Sequence, residues 1–216
     1  MKFFLDTANI DQIKKAVELN MCDGITTNPT LIMKEGKDHK EAILDIAKFV
    51  KGPISVEGAG ETYEELIKEA LEYSKWAPNI VFKVPMTRDG LRAVRACSEK
   101  KIKTNVTLVF SLSQALLVAK AGATYVSPFV GRLDDISHNG MDLIRDMVKM
   151  YRNYNFKTEV LVASVRHPMH VCEAALAGAD ICTLPFDVFD KMWNHPLTEK
   201  GFATFKEHHK KYTASK

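Results

Sequence analysis

Ile80-Val81-Phe82-Lys83-Val84-Pro85 reads as a short buried strand, because β-branched and aromatic residues run without a break and a proline closes them. A lysine stands in its middle. Lysine is rarely fully buried unless a partner or a reaction uses it. Apolar surroundings disfavour the charged form of an ammonium, and a neutral amine can attack a carbonyl and form a Schiff base. The plainer reading of Lys83 is a strand-end side chain that reaches water or pairs with a nearby carboxylate.

Segments of the same kind recur on both sides of this one. Short apolar strands are expected at residues 2–5, 24–26, 54–56, 80–84, 104–108, 124–127, 159–163 and 181–184. Between most of them, apolar residues recur at three- and four-residue spacing over 9–19, 40–50, 62–75, 90–100, 111–120, 141–151 and 169–177, which predicts amphipathic helices. Such alternation argues for parallel strands joined by helical crossovers. Ala121-Gly122-Ala123-Thr124-Tyr125-Val126-Ser127-Pro128-Phe129 also echoes Ala177-Gly178-Ala179-Asp180-Ile181-Cys182-Thr183-Leu184-Pro185-Phe186. In both, a glycine ends a helix, as the left-handed position after a helix prefers, and a buried strand follows.

A repeated αβ unit fits an open sheet as well as a barrel. Eight strands decide for a single (β/α)8 TIM barrel, although 216 residues is near the short end for one. A doubly wound sheet is the runner-up, weakened because no G-x-G-x-x-G or G-x-x-x-x-G-K-[ST] loop follows a strand. No Pro/Gly/Ser-rich linker divides the chain, so one domain over residues 1–216 is expected. After the last strand, 186–193 and 197–212 read as helical, with Pro196 between them. The segment 196–213 is thus an additional C-terminal helix. Its Leu197, Phe202, Phe205 and Tyr212 exceed what a free tail needs, so it is expected to pack on its own barrel or on a neighbouring subunit.

Composition narrows the function classes. A net charge of +3 does not suggest a polyanion partner, and the basic cluster Lys206-Glu207-His208-His209-Lys210-Lys211 reads as a solvated helix face rather than a nucleic-acid site. No apolar run approaches the roughly 20 residues that span a bilayer, and Asp6 interrupts the N-terminus before a signal sequence could form. Cys22, Cys97, Cys172 and Cys182 lack metal-type spacing and suggest no disulfide framework, which fits reduced, mostly core thiols in the cytoplasm. His167-Pro168-Met169-His170 offers two histidines, but no third ligand completes a metal set.

In a barrel of this kind the C-terminal ends of the strands face the active site. Those positions are Asp6, then Thr26-Thr27-Asn28-Pro29, Glu57, Lys83, Asn105 with Thr107, Ser127 followed by Arg132, and Ser164 with Arg166. Singly, each has an ordinary explanation. Asp6 could cap the helix that follows, Thr27-Asn28 could be turn chemistry before Pro29, and Glu57 could be a loop acid beside Gly58 and Gly60. Together, polar groups recurring at one end of successive apolar strands converge in space, and burying them without a use is costly. Their chemistry is also complementary. A Schiff-base lysine needs an acid/base group, for which Asp6 and Glu57 are candidates, and Thr107 could position a water. Arg132 and Arg166, with Ser164, suit a phosphate dianion, while Asn28 and Asn105 can hydrogen-bond sugar hydroxyls.

On these residues the chain resembles the transaldolases, in particular their short single-barrel branch, which includes fructose-6-phosphate aldolase-like enzymes. The similarity runs from Phe3-Leu5-Asp6-Thr7-Ala8 through Thr26-Thr27-Asn28-Pro29, Lys83-Val84-Pro85, Asn105-Val106-Thr107-Leu108 and Ser127-Pro128-Phe129-Val130-Gly131-Arg132 to Ala163-Ser164-Val165-Arg166. It implies a cofactor-free mechanism with Lys83 forming the Schiff base, Asp6 as acid/base at the cleaved bond, and Glu57 and Thr107 holding the catalytic water. It further implies that Asn28, Asn105 and Ser127 contact a dihydroxyacetone unit, with Thr27 and Phe129 beside them, and that Arg132, Ser164 and Arg166 bind phosphate. Aldolase members of the family carry glutamine and tyrosine at the positions of Glu57 and Phe129, whereas transaldolases carry glutamate and phenylalanine, so this chain resembles the transferases at both. The implied substrates are small sugar phosphates and the implied assembly is a homo-oligomer, such as a decamer. The alternatives are an aldolase that releases free dihydroxyacetone and a non-catalytic sugar-phosphate-binding barrel.

Overall fold

The apolar runs form eight strands: β1 (Lys2–Asp6), β2 (Gly24–Thr26), β3 (Ile54–Glu57), β4 (Ile80–Pro85), β5 (Thr104–Val109), β6 (Tyr125–Pro128), β7 (Glu159–Val162) and β8 (Ile181–Leu184). The computed structural model describes residues 1–214, so the last two residues of the expected domain, 215 and 216, lie outside it. All eight strands pair in parallel in sequence order, and β1 pairs with β8 from Lys2↔Ile181 to Leu5↔Leu184, which closes the sheet into a barrel. A doubly wound sheet has no such closing pair.

Side chains along a strand point alternately into and out of a barrel wall. Leu5, Ile25, Val56, Phe82, Val106 and Val162 belong to the large core between the wall and its helices. Phe4, Val81, Tyr125, Leu161 and Ile181 form a separate cluster that fills the floor of the barrel, with Phe4 set edge-on to Tyr125 at 6.1 Å. Two residues further along the same strands, and so on the same inner side, come Asp6, Lys83, Ser127, Ala163 and Thr183. The pattern that seals the floor thus places polar groups one layer higher, at the mouth.

The helices begin and end where local chemistry dictates. Asn9, Asp38, Thr62, Thr87, Ser111 and Asn139 each accept a backbone N–H from the first turn of the helix they precede, and Thr62 and Glu65 complete a capping box. Gly122 and Gly178 close theirs at φ +85 and +81, a conformation that costs other L residues roughly 1–2 kcal/mol.

Two short helices at the mouth were not expected from the periodicity, Pro29–Lys34 and Val130–Asp134. The first had a signal: Asn28 is its N-cap and Pro29 its first residue, the order in which these two residues start helices. The C-terminal helix spans Pro196–Ala214, and none of its described residues is buried. Leu197, Phe202 and Phe205 are 71%, 68% and 73% exposed, so this apolar set is not covered by the chain's own barrel.

Candidate active site

The register of the wall sets three polar side chains abreast. Glu57 on β3 pairs with Lys83 on β4, and Lys83 with Asn105 on β5. Lys83 is only 5% exposed, and its Nζ donates to the Thr27 carbonyl at 2.9 Å and lies 2.9 Å from Glu57 Oε2. A buried amine held by one carboxylate and one carbonyl has a partner that can take its proton and an acceptor that fixes its direction.

Asp6 ends β1 beside it. Its Oδ1 accepts the Thr26 hydroxyl at 2.7 Å, and Thr26 Oγ1 is itself 2.7 Å from Thr183 Oγ1. Thr26 has a single proton to give and gives it to Asp6, so Thr183 is the donor in the second bond. Burial pushes the Asp6 carboxyl above its ordinary pKa; the Lys83 charge and the Thr26 hydroxyl pull it down, and Glu57 adds to the rise. The result is a carboxyl with strengthened proton affinity next to a lysine, suited to taking a proton and returning it. Asp6 does not cap the first helix. Asn9 does, with Thr7 bridging to Gln12.

Asn105 is fully buried and locked by Ser127, whose hydroxyl donates to its Oδ1 at 2.8 Å, and by Ser55, which accepts from its Nδ2 at 3.1 Å. Thr107 differs. It is 1% exposed, yet its hydroxyl has no hydrogen-bond partner among the described residues. A buried hydroxyl left unpaired costs about 1–3 kcal/mol, so this one requires a reason. The β5–β6 register shifts between Val106 and Val109, where Leu108 takes φ +61, and this bulge lies at Thr107.

Two adjoining pockets open at the mouth and share Asn28, Lys83, Phe129 and Arg132. One, of about 220 Å³, is also lined by Asp6, Ser127, Ser164, Arg166 and Thr183; the other, of about 440 Å³, is lined by Glu57 and Thr107. Lys83 stands where they meet. The Asn28 Oδ1 accepts from Leu31 N–H at 3.0 Å, which leaves its amide N–H groups as donors. The Arg132 guanidinium lies over the Phe129 ring, 5.0 Å from its centre, and Arg166 donates to Asp135 at 2.9 Å. Ser164 sits at φ +60, a strained conformation for a residue with a side chain. Gly131 is required by close approach, since a Cβ there would collide with the Ser164 carbonyl oxygen.

Every site residue expected from the sequence except Asn105 and Thr27 lines one of these pockets. Asn105 stands behind Ser127, and the Thr27 hydroxyl is spent on the Ser55 carbonyl at 2.8 Å, so Thr27 serves the site through its main-chain carbonyl. No group of three or more metal-ligating side chains occurs among the described residues. Burial pushes the Cys97 thiol up to about 11 and Cys182 to about 12, which leaves both poor nucleophiles, and neither lines the pockets at the mouth.

Residues 3–216 match the family described as Transaldolase/Fructose-6-phosphate aldolase. The chain belongs to this family. Proteins named probable transaldolase from Lactiplantibacillus plantarum, Thermodesulfovibrio yellowstonii and Methanococcus maripaludis are 56%, 58% and 57% identical to it; the first alignment covers 100% of this chain and 99% of the relative, the others 95% of this chain and 95–96% of theirs. Among solved structures, thiamine phosphate pyrophosphorylase from Pyrococcus furiosus superposes with a TM-score of 0.57 at 16% identity over 85% of each chain. Flavocytochrome b2 with sulfite bound reaches 0.63 at 13% identity, over 86% of this chain and 57% of that one. Identities so low speak for the barrel alone.

Within this member of the transaldolase/fructose-6-phosphate aldolase family, sequence reasoning passed over the Thr183–Thr26–Asp6 hydroxyl chain. Thr183 carried a usable signal, since it lies two residues beyond Ile181 on an otherwise apolar strand and so faces inward above the floor.

Proposed function

We propose that this chain is a transaldolase that moves a dihydroxyacetone unit from a ketose phosphate, sedoheptulose 7-phosphate or fructose 6-phosphate, to an aldose phosphate, glyceraldehyde 3-phosphate or erythrose 4-phosphate. The observation that carries the reading is the buried Lys83 amine between Glu57 and the Thr27 carbonyl, with Asp6 alongside. The neutral amine attacks the ketose carbonyl, and loss of water from the carbinolamine leaves a Schiff base. Asp6 takes the proton of the C4 hydroxyl as the C3–C4 bond breaks; the aldehyde leaves and an enamine remains on Lys83. The enamine then adds to the incoming aldehyde, Asp6 returns the proton to the new hydroxyl, and water releases the product.

Glu57 and the unpaired Thr107 hydroxyl flank Lys83 and hold the water of the dehydration and hydrolysis steps. Ser127 and Asn28 order the dihydroxyacetone hydroxyls, with Asn105 acting through the hydrogen bond that fixes Ser127; Arg132, Ser164 and Arg166 take the phosphate. Phe129 presents no hydroxyl near the enamine, so the enamine waits for an acceptor instead of being protonated and lost. The setting is the non-oxidative pentose phosphate pathway in the cytoplasm. The chain acts as one domain over 1–216, and the uncovered face of Pro196–Ala214 is buried on another subunit of a homo-oligomer.

Borohydride added with fructose 6-phosphate should leave one reduced three- or six-carbon adduct on Lys83, located by peptide mass; an unmodified lysine would reject the reading. Arg132→Ala and Arg166→Ala should each remove a charge-assisted contact worth about 1.5–3 kcal/mol and raise KM chiefly for phosphorylated sugars. Equal effects on unphosphorylated sugars would remove the arginines from phosphate binding. Thr26→Val removes a bond that holds the Asp6 pKa down, so its pKa rises further. Activity that needs the carboxylate is lost as pH falls through that pKa, so the acid limb of kcat/KM should move to higher pH. A stationary limb would assign it to another group.

A further inference from the structure

His170 takes no part in the chemistry above, yet it is only 4% exposed and both ring nitrogens are committed. Its Nδ1 accepts the Arg166 backbone N–H at 3.3 Å, and its Nε2 lies 2.9 Å from Asp134 Oδ2. A ring that accepts through Nδ1 and faces a carboxylate through Nε2 is neutral, with its proton on Nε2. Burial and the neighbouring His167, whose ring centre is 3.8 Å away, lower its proton affinity against the opposing charge of Asp134. Asp134 is fixed in turn, since its Oδ1 accepts the Gly140 N–H at 2.9 Å.

This one imidazole spans the two elements that carry the arginines. Asp134 ends the short helix Val130–Asp134, which bears Arg132, while Arg166 follows Ser164 on the loop after β7. Backbone bonds already tie the elements at Val130 N–H to the Ala163 carbonyl, 3.1 Å, and at Gly131 N–H to the Ser164 carbonyl, 3.0 Å. Past Ser164, with its left-handed backbone, the main chain of Arg166 is held by His170.

We infer that His170 is a positioning residue: its Nδ1 sets the aim of Arg166 toward the substrate phosphate, and Asp134 orients the ring. The inference rests on the phosphate role proposed for Arg132, Ser164 and Arg166. His170→Asn places an oxygen where Nδ1 stands and keeps the bond to Arg166 N–H; His170→Gln reaches Asp134 and leaves that N–H unmet.

The test is KM and kcat for fructose 6-phosphate and for unphosphorylated fructose at saturating erythrose 4-phosphate, with inhibition by inorganic phosphate as a second readout. His170→Gln should raise KM for fructose 6-phosphate and weaken phosphate inhibition by about tenfold, the equivalent of one hydrogen bond, with kcat and the fructose KM near wild type. His170→Asn should recover most of that loss. Equal penalties in both variants, or a KM rise shared by fructose, would make His170 merely structural and overturn the inference. Wild-type protein that neither prefers the phosphorylated donor nor responds to phosphate would overturn the phosphate site itself. A wild type that does both, with His170→Gln unaltered, would overturn the positioning role alone.

Discussion

Lys83→Arg is expected to abolish transfer, lowering kcat/KM on the order of 10⁴-fold or more, a large part of the 10⁶-fold or greater acceleration that enzymes supply. Arginine keeps a positive charge beside Glu57, which lies 2.9 Å from Nζ in the native protein, so the barrel mouth retains its ion pair. What it cannot do is lose a proton and act as the nucleophilic amine. The substitution therefore separates a charge that merely positions an anion from an amine that forms a bond. Thermal unfolding should stay close to wild type while steady-state turnover disappears. Lys83→Ala should be equally inactive and less stable, because Glu57 and the Thr27 carbonyl both lose their partner. Substantial turnover in either variant would remove Lys83 from the chemistry.

Asp6→Asn is expected to cost about 10²–10⁴-fold in kcat, the range of a lost general acid–base group. Asparagine is close in shape and its Oδ1 can still accept the Thr26 hydroxyl, so the Thr183–Thr26 chain keeps its end point. Schiff-base formation does not require the proton of the C4 hydroxyl to move. Borohydride should thus still trap a six-carbon adduct on Lys83 in this variant, while bond cleavage, followed as erythrose- or glyceraldehyde-phosphate release in a single turnover, slows. If trapping failed together with cleavage, Asp6 would act before the carbon–carbon step and its assignment would change.

The barrel was legible because its signals are local and repeated. Eight short runs rich in apolar and β-branched residues give strands whose observed ends lie within about a residue of those expected. Ala121-Gly122 and Ala177-Gly178 mark helix ends that the structure places at left-handed glycines. The strand-end polar set was legible for the same reason, as period-two alternation puts Lys83 above Val81 and Asp6 above Phe4. What the sequence concealed depends on register and on the main chain. That Glu57 stands abreast of Lys83 follows from how far β3 is staggered on β4, which periodicity does not encode. Thr27 offered a hydroxyl, and its carbonyl became the partner of the amine. Val130–Asp134 lacks a side-chain N-cap, so nothing marked the short helix that carries Arg132. Leu197, Phe202 and Phe205 marked an apolar helix face, and the chain's own barrel leaves that face exposed.

Transfer rather than release is the central claim, and product partition tests it most directly. Purified protein is supplied with fructose 6-phosphate, with and without erythrose 4-phosphate, and sedoheptulose 7-phosphate and free dihydroxyacetone are both quantified. Sedoheptulose 7-phosphate formed only with the acceptor, and little free dihydroxyacetone in either case, is the predicted result, with Glu57 and Phe129 guarding the enamine. Dihydroxyacetone released freely without an acceptor would contradict it and make the protein an aldolase.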